Sequence, residues 1–346
     1  MSAPARVLVT GGAGYVGSHV CHALAGQGLV PVTFDHLGNG HRDAEKWGPL
    51  RVGDIQDPIA LAQAFAEFSP VAVIHCAALA YVGESVTTPA AYYRNNVTGT
   101  LSLLDAMAGA GVKHVVFSSS CATYGIPEQI PIPEAARQQP INPYGRTKLM
   151  VEQILSDYGA AYGVNSAVLR YFNAAGADPG NGIGERHDPE THLIPRAILA
   201  ATRQIPWLEV FGDDYDTPDG TCQRDYIHVS DLAQGHVLAL KHLLAGRGSL
   251  TLNLGTGRPI SVREIVAAVE AVSRRRVPLR FCSRRPGDPP VLYADPSNAR
   301  NILGFSAAFT AIEDIVETAW RFHVQMQECA TPHFGSLGGA KELKCH

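Results

Sequence analysis

Hydrophobic residues fall into short continuous runs, separated by longer stretches in which they recur with a helical period. Runs of this length are typical of strands buried on both faces of a parallel sheet, and the stretches between them predict crossover helices. The predicted strands cover residues 6–10, 30–34, 50–55, 71–78, 114–120, 168–173 and 250–254, and a long helix covers about 89–109. The pattern therefore predicts an α/β fold, a Rossmann-type doubly wound parallel sheet whose ligands bind at the carboxyl ends of its strands.

The periodic pattern stops after Asn173, and residues 174–225 are rich in Gly, Pro and Asp. This composition predicts a smaller, discontinuous α/β substrate domain that faces the ligand. We expect residues 226–229 to return to the main sheet, and Ser261 with Glu264 to form a capping box at the start of a helix. The predicted domains are 1–175 plus about 226–255 for the cofactor and about 176–225 plus 256–326 for the substrate, with 327–346 as a loose tail.

Composition excludes several classes of partner. The 346 residues are 46% hydrophobic and 17% charged, with a net charge of −4, so nothing favours a nucleic acid or an anionic membrane. No apolar run approaches the ~20 residues that span a bilayer, and no signal-peptide core precedes the first strand. The seven cysteines are scattered without a C-x-x-C pair. We therefore expect a reduced, cytoplasmic protein.

Three glycines follow the first predicted strand and open a helix. Gly11, Gly14 and Gly17 form a G-x-x-G-x-x-G motif, in which glycine allows a tight turn and close approach of a pyrophosphate. The alternative is an ordinary glycine-rich turn, but the strand–turn–helix context favours a dinucleotide site. Asp35 ends the second strand, where a carboxylate binds both ribose hydroxyls and repels a 2′-phosphate, which predicts NAD rather than NADP. Asp54 ends the third strand and is expected on the adenine side.

A second chemical pattern lies on the helix that begins after Asn142, a good N-cap followed by Pro143. Tyr144 and Lys148 are one turn apart on its face. For Tyr to act as a base near neutrality, its pKa must fall by about 3 units, and a nearby Lys supplies about 1–3 of them. Ser120, at the end of a strand, could share a proton with the phenol. The alternatives are an ordinary pair of helix neighbours and a serine that closes a turn.

Two loops carry further polar residues. His187 and His192, with Asp188 and Glu190, could bind a metal, but their spacing matches no known ligand motif, so we interpret them as a polar loop without a metal. The Arg284–Asp288 stretch places guanidinium groups in a Pro/Gly loop, which suits bidentate recognition of phosphate.

Taken together, the glycine motif, Asp35, Ser120 and the Tyr144-x-x-x-Lys148 pair resemble the extended short-chain dehydrogenase/reductase family. Within it, the chain is similar to the UDP-galactose (UDP-glucose) 4-epimerases over about residues 5–325. The stretches that carry this resemblance are 82–86, 92–97, 118–120 with Tyr124 and Gly125, 148–153, 170–173 and 224–229.

The resemblance implies a hydride cycle between the C4 of a UDP-sugar and tightly held NAD. Tyr144 would act as the base, Lys148 would bind the ribose and lower the pKa of Tyr144, and Ser120 would bind the reacting oxygen. The implied cofactor residues are Gly11, Gly14, Tyr15, Val16, Gly17, Asp35, Asn39, Asp54, Ile55, Cys76, Ala77, Ala78, Ala80, Asn95, Tyr144, Lys148 and Phe172. The implied substrate residues are Ser120, Tyr144, Asn173, His192, Leu193, Phe211, Arg224, Arg285 and Asp288. Helices 90–109 and 143–160 would pair in a homodimer, as in relatives.

The chain departs from the family pattern at three positions. Ala80 stands where the best-known epimerases have Lys, His192 replaces a substrate-side Asn, and Leu292 replaces a Tyr or Cys beside the sugar. The choice among glucose/galactose, their N-acetyl forms and xylose/arabinose therefore stays open. A 4,6-dehydratase would need an acid–base pair where this chain has Cys121 and Ala122. A non-enzymatic NAD sensor would usually have lost the Tyr or the Lys.

Overall fold

Parallel strands and helices alternate along the chain, as the hydrophobic pattern predicts. A computed structural model describes residues 4–44, 46–285 and 288–330. The strands in these ranges are β1 (Arg6–Thr10), β2 (Val30–Asp35), β3 (Leu50–Val52), β4 (Ala72–His75), β5 (His114–Ser120), β6 (Asn165–Tyr171), β7 (Asn173–Ala175), β8 (Leu208–Phe211), β9 (Gln223–His228), β10 (Leu250–Leu254), β11 (Pro259–Ser261), β12 (Leu279–Cys282) and β13 (Val291–Leu292).

The helices pack on both faces of the main sheet and around the smaller one. They are α1 (Tyr15–Ala25), α2 (Pro58–Phe68), α3 (Val82–Thr87), α4 (Pro89–Tyr92), α5 (Gly99–Gly109), α6 (Pro143–Tyr162), α7 (Leu193–Ala201), α8 (Val229–Leu244), α9 (Val262–Ser273), α10 (Ser297–Leu303) and α11 (Ile312–Ala330). None of the helices in the described ranges has the length and apolar composition that crossing a bilayer requires.

Seven parallel strands form the main sheet, in the order β10-β6-β5-β4-β1-β2-β3. Successive residues of β1 face opposite sides, so Val7 and Val9 pack in the layer with α1 and α8, and Leu8 packs in the layer with α2, α5 and α6. Both faces are buried, which explains why the strands are continuous hydrophobic runs. The predicted doubly wound α/β fold is confirmed.

A smaller part of the structure has its own core. It consists of a four-stranded sheet (β7, β9, β11 and β13) and a two-stranded sheet (β8 and β12), packed with α7, α9 and α11. The predicted capping box is present, since Ser261 accepts from the Glu264 amide and Glu264 accepts from the Ser261 amide.

Two expectations need correction. Residues 226–229 do not return to the main sheet: β9 pairs with β7, with Tyr226 opposite Asn173, because the place beside β6 is taken by β10. The predicted tail begins too early, because α11 continues to Ala330. The remaining tail, 331–346, lies outside the described residues.

A buried ion pair holds α6 against the main sheet. Glu152, on α6, accepts from Arg170 on β6 at 2.6 Å and from Ser119 on β5 at 2.5 Å. The side chains of Arg170 and Glu152 are only 7% and 8% exposed. Arg170 also donates to the Tyr124 hydroxyl at 3.0 Å. The helix that carries Tyr144 and Lys148 is therefore tied to the two strands beneath it.

We predict that Glu152→Gln lowers the free energy of unfolding by about 3–5 kcal/mol, because it leaves the Arg170 charge buried without a counter-charge. Glu67→Gln is the matched control, since Glu67 forms an exposed pair with Arg51 at 3.4 Å and its loss should cost less than about 1 kcal/mol. Urea unfolding followed by circular dichroism measures both values. Equal, small losses for the two variants would contradict the prediction.

Candidate active site

The glycine loop lies where β1 meets α1, at the carboxyl edge of the main sheet. Gly11 has a φ of +71°, and a Cβ there would lie 2.7 Å from the amide nitrogen of Ala77. A Cβ on Gly17 would lie 2.0 Å from the Gly11 carbonyl oxygen, so only glycine fits. The first amides of α1, at Tyr15 and Val16, have no partner within the helix. The loop thus fits a dinucleotide diphosphate, which this helix end would bind through those amides.

Asp35 lies at the end of β2, next to the glycine loop, and is 8% exposed. One carboxylate oxygen accepts from the Ala13 amide at 3.1 Å and the other from the Leu37 amide at 2.8 Å. The two bonds fix the carboxylate at the strand end, where the sequence predicts the adenosine ribose. Each oxygen keeps a second lone pair for a ribose hydroxyl.

The remaining predicted cofactor residues also follow strand ends. Asp54 accepts from the Gln56 amide at 2.8 Å, and Ile55 is buried. Cys76 begins the turn after β4, where its thiol accepts from the Ser118 hydroxyl at 3.3 Å and burial raises its pKa to about 11. Ala77 lies against Gly11. Ala78 is half-buried and Ala80 is exposed. Because residue 80 is Ala, its side chain supplies no positive charge where the best-known epimerases have Lys.

A loop from the smaller part covers the cofactor side. The Tyr15 hydroxyl donates to the Gly176 carbonyl at 2.7 Å, and His41 contacts the Arg186 carbonyl at 3.0 Å. Arg186 also forms a bidentate pair with Asp43, at 2.6 and 2.8 Å. Asn39 lines the small cavity between this loop and the glycine loop. These contacts close the predicted adenosine side of the site.

Ser120, Tyr144 and Lys148 converge at the carboxyl end of β5. Asn142 accepts from the Gly145 amide at 2.8 Å, so α6 begins as the sequence predicts. Tyr144 is 8% exposed, and the Ser120 hydroxyl, which accepts from the Ala122 amide at 3.1 Å, lowers its pKa. Lys148 is 3% exposed and donates to the Ser118 carbonyl at 2.7 Å, with its Nζ 5.8 Å from the Tyr144 ring centre. The structure brings all three predicted catalytic residues together.

The electrostatics of the protein alone differ from the expectation that Lys148 lowers the pKa of Tyr144. Burial raises the pKa of Tyr144 to about 12, and the hydrogen bond from Ser120 only partly opposes it. Burial also lowers the pKa of Lys148 to about 8. The reason is geometric, because the ammonium bonds the Ser118 carbonyl instead of the phenol. Forming the phenolate therefore requires a further positive charge at the site.

A π-helix between α4 and α5 positions Asn95. The π-helical segment runs from Tyr93 to Thr98, and Asn95 donates to the Asn96 side chain at 2.9 Å. Asn96 in turn bonds both backbone groups of Leu79, at 2.9 and 3.0 Å. Such wide turns occur frequently at functional sites. Sequence periodicity missed the π-helix and Asn96, because one extra residue in a turn leaves the hydrophobic pattern nearly unchanged.

The predicted substrate residues surround the strands of the smaller sheet. Arg224, on β9, is paired with Asp288, while the guanidinium of Arg285 lies 4.0 Å from the centre of the Phe211 ring. Asn173 pairs with Tyr226 in β7 and β9, and half-buried Leu193 begins α7. Residues 286–287, which lie between Arg285 and Asp288 in the chain, are outside the described ranges.

The sugar side is apolar. Phe172 and Leu292 belong to one small cluster with Tyr124, Ile132 and Ala294, and Cys121 packs against it. Because Ser120 directly precedes Cys121, this cluster lies next to the catalytic residues. Leu292 stands opposite Arg224 in the β13–β9 register, so one strand pair carries both the predicted phosphate grip and the apolar wall.

The loop before α7 contains a His/Glu cluster that the sequence showed only in part. His187, Glu190 and His192 lie together with Glu185, while Asp188 is not part of the group. Burial alone would raise the pKa of Glu185, but His192 and His187 lower it to about 2. Burial lowers the pKa of His192, but the neighbouring Glu185 carboxylate raises it. The net effect is a raised pKa. Sequence reasoning missed Glu185 because only folding brings it to the histidines.

Comparison with known proteins gives consistent matches. Residues 7–255 match the model of the NAD dependent epimerase/dehydratase family. The chain is 51% identical to the UDP-glucose 4-epimerase of Rhizobium leguminosarum bv. trifolii, covering 93% of this chain and 98% of that protein. The crystal structure of the Brucella ovis UDP-glucose 4-epimerase in complex with NAD has a TM-score of 0.90 at 56% identity, covering 91% of this chain and 97% of that one.

A third relative is a UDP-glucose 4-epimerase from Bifidobacterium longum, solved in complex with NAD⁺ and UDP. It has a TM-score of 0.87 at 39% identity and covers 92% of this chain and 98% of that one. Each match extends over both the main sheet and the smaller part. These matches agree with the glycine loop and the Tyr–Lys helix, and they show that the chain belongs to the NAD dependent epimerase/dehydratase family.

Proposed function

We propose that the protein interconverts UDP-galactose and UDP-glucose, with NAD as its cofactor. The observation that carries this proposal is the buried group of Ser120, Tyr144 and Lys148 at the same sheet edge as the glycine loop and Asp35. The named relatives cover nearly the whole chain, and they are epimerases that act on UDP-glucose. The site residues and their roles are proposed from this arrangement.

Bound NAD would supply the acceptor and donor for the hydride of the sugar C4 and, in its oxidised form, a positive charge. Tyr144 takes the proton of the 4-hydroxyl as this hydride leaves, and gives a proton back when the hydride returns. Ser120 hydrogen-bonds the reacting oxygen and the phenol. Ser120 lowers the pKa of Tyr144 in the protein alone, which is consistent with the two side chains acting on the same oxygen.

Lys148 acts by position and by charge. With a pKa of about 8, lowered by burial, its ammonium is mainly protonated at neutral pH. One of its three N–H bonds goes to the Ser118 carbonyl at 2.7 Å, which leaves two for a ribose hydroxyl pair. We assign Lys148 to the nicotinamide ribose and to stabilisation of the Tyr144 phenolate. Together with the cofactor charge, it offsets the cost of burying that phenolate.

Binding must be strong at the nucleotide and loose at the sugar, because the 4-keto sugar has to turn over between the two hydride transfers. Arg224 and Arg285 offer guanidinium groups for a diphosphate, and Asp288 orients Arg224. Leu292, which packs against the cluster around Phe172, gives the sugar an apolar wall without directed hydrogen bonds. Interactions remote from the reacting carbon thus hold the substrate while its sugar rotates.

The rival 4,6-dehydratase lacks the side chains that it needs. Its added acid–base pair would lie just after Ser120, where this chain has Cys121 and Ala122. Neither side chain is a carboxylate, and burial raises the pKa of the Cys121 thiol to about 12, which favours its neutral form.

We also propose a homodimer in the cytoplasm. On α6, Met150 and Tyr162 are 39% and 58% exposed, which is consistent with a helix that packs against a second copy. Five cysteines, Cys21, Cys76, Cys121, Cys222 and Cys282, are free in the structure, as a reducing compartment favours.

We predict that Tyr144→Phe lowers kcat by a factor of about 10²–10⁴ while NAD stays bound, because the ring remains and only the base is lost. Tyr158→Phe is the matched control on the same helix, since the Tyr158 hydroxyl contacts only Asp105 on the surface, at 3.2 Å. Turnover of UDP-galactose and the NAD content of the purified proteins measure both effects. Wild-type turnover of Tyr144→Phe would show that another group is the base.

The position of Asp35 predicts cofactor choice. The wild-type protein should bind NAD more tightly than NADP, and Asp35→Ala should weaken this preference because the carboxylate no longer repels a 2′-phosphate. Titration of cofactor-free protein with each dinucleotide provides the ratio of dissociation constants. Equal affinities in the unmutated protein would refute the assignment.

Leu292 predicts sugar choice. We expect a strong preference for UDP-glucose and UDP-galactose, slower turnover of UDP-N-acetylglucosamine, and room for the smaller pentose pair. Leu292→Tyr should then reduce kcat/KM for the N-acetyl sugar by a factor of about 10–200 and leave the hexose reaction largely intact. Leu292→Met is the volume-matched control. An unchanged N-acetyl to hexose ratio in Leu292→Tyr would mean that this side chain does not line the pocket.

A further inference from the structure

Four potential metal ligands converge in the loop before α7. Glu185, His187, Glu190 and His192 each offer one ligand atom, and these four atoms all lie within 4.8 Å of one another. We name them the His₂Glu₂ cluster. The proposed hydride cycle uses none of these four side chains. Only His192 is predicted, by resemblance, to contact the substrate. The proposed reaction therefore does not account for the convergence of these four side chains.

Three of the four side chains are largely removed from solvent, and the ligand atoms of all four lie close together. The side chains of Glu185 and Glu190 are 6% and 11% exposed, and those of His187 and His192 are 18% and 45% exposed. The Nδ1 atoms of both histidines approach the same Oε1 of Glu185, that of His187 at 2.9 Å. The buried Nδ1 of His187 nevertheless lacks a correctly oriented hydrogen bond. This nitrogen, beside the Glu185 carboxylate, is therefore available as a metal ligand.

Contacts outside the cluster hold the ligands in place. The Oε1 of Glu190 accepts from the amides of Thr191 and His192, at 2.7 and 2.8 Å. The His187 ring lies edge-on to the rings of Tyr81 and Tyr15, at 5.5 and 6.4 Å between centroids. The guanidinium of Arg186 is paired with Asp43, and that of Arg196 donates to the Glu190 carbonyl at 3.3 Å rather than to its carboxylate. The imidazoles and carboxylates are thus oriented by a surrounding shell, which is how protein metal sites are usually built.

The donor chemistry selects the ion. Two carboxylates this close together are unfavourable unless positive charge lies between them. Two imidazole nitrogens and two carboxylate oxygens suit Zn²⁺ in a tetrahedral site, whereas Ca²⁺ and Mg²⁺ prefer oxygen ligands alone. Four protein ligands would leave no open position, which is the signature of a structural site. We propose that the His₂Glu₂ cluster binds one Zn²⁺ that stabilises the loop between β7 and α7.

The site would brace the loop against the cofactor side of the protein. All four ligands come from residues 185–192, so one ion would crosslink the segment that leads into α7 at Leu193. The Tyr15 ring, which contacts His187, belongs to the first residue of α1 after the glycine loop. Zinc would therefore stabilise the loop that covers the glycine loop, without taking part in proton or hydride transfer.

Direct binding measurements test the proposal. Protein with its cofactor but without an affinity tag is stripped with a chelator and titrated with Zn²⁺ by calorimetry, with metal content measured after dialysis. We expect one Zn²⁺ per chain, and a tetrahedral Co²⁺ absorption spectrum when Co²⁺ replaces it. Loss of one ligand, in His187→Ala or Glu185→Gln, should weaken Zn²⁺ binding at least about 100-fold, as much as or more than losing a supporting group does.

Matched controls separate this site from others. His323→Ala removes a histidine outside the cluster, which bonds Gln204 and Gln327 and stacks on Trp320, so this variant should bind Zn²⁺ like the wild type. Tyr144→Phe should also bind Zn²⁺ normally, so the result stands apart from the proposed epimerase activity. If His187→Ala does not fold, as judged by circular dichroism, Glu190→Gln provides the same comparison. Absence of stoichiometric binding, or wild-type affinity in the folded cluster variants, would overturn the proposal.

Discussion

A buried ammonium must have a hydrogen-bond partner, and this requirement fixes the active site. Lys148, on the side of α6 that faces the sheet, donates to the Ser118 carbonyl of β5 at 2.7 Å. Four residues further along α6, Glu152 bonds Arg170 of β6 at 2.6 Å. These two contacts set both the height and the rotation of α6 above the sheet. Tyr144, one turn before Lys148, is thereby placed next to Ser120. A shift of the helix would move Tyr144 away from Ser120 and from the sheet edge that carries the predicted cofactor residues.

The same burial that orders the site also works against its chemistry. In the protein alone, it raises the pKa of Tyr144 to about 12 and lowers that of Lys148 to about 8. A phenolate forms near neutrality only when more positive charge is present, so we propose that bound oxidised cofactor activates Tyr144 as the base. This dependence suits an enzyme that keeps its NAD between turnovers. The pair of Arg186 with Asp43 joins the loop before α7 to the loop that follows β2.

Local features of the fold could be predicted from the sequence, and features set by distant contacts could not. The start of α6 and the capping box at Ser261 depend on neighbouring residues, and the structure confirms both. The sheet that β9 joins depends on which strand takes the place beside β6, which no local pattern encodes. The π-helix at Asn95 was missed because a single extra residue barely alters periodicity. Glu185 was missed because its histidine partners approach it only in the folded loop.

Transfer of the C4 hydrogen within one active site is the central claim, and an isotope experiment tests it directly. UDP-galactose carrying deuterium at the sugar C4 is converted in ordinary water, and the UDP-glucose formed is analysed by mass spectrometry and NMR. The account predicts that deuterium stays at C4, because the hydride leaves and returns to the same carbon without meeting solvent. Loss of the label to water, or release of one reduced cofactor for each sugar consumed, would contradict it.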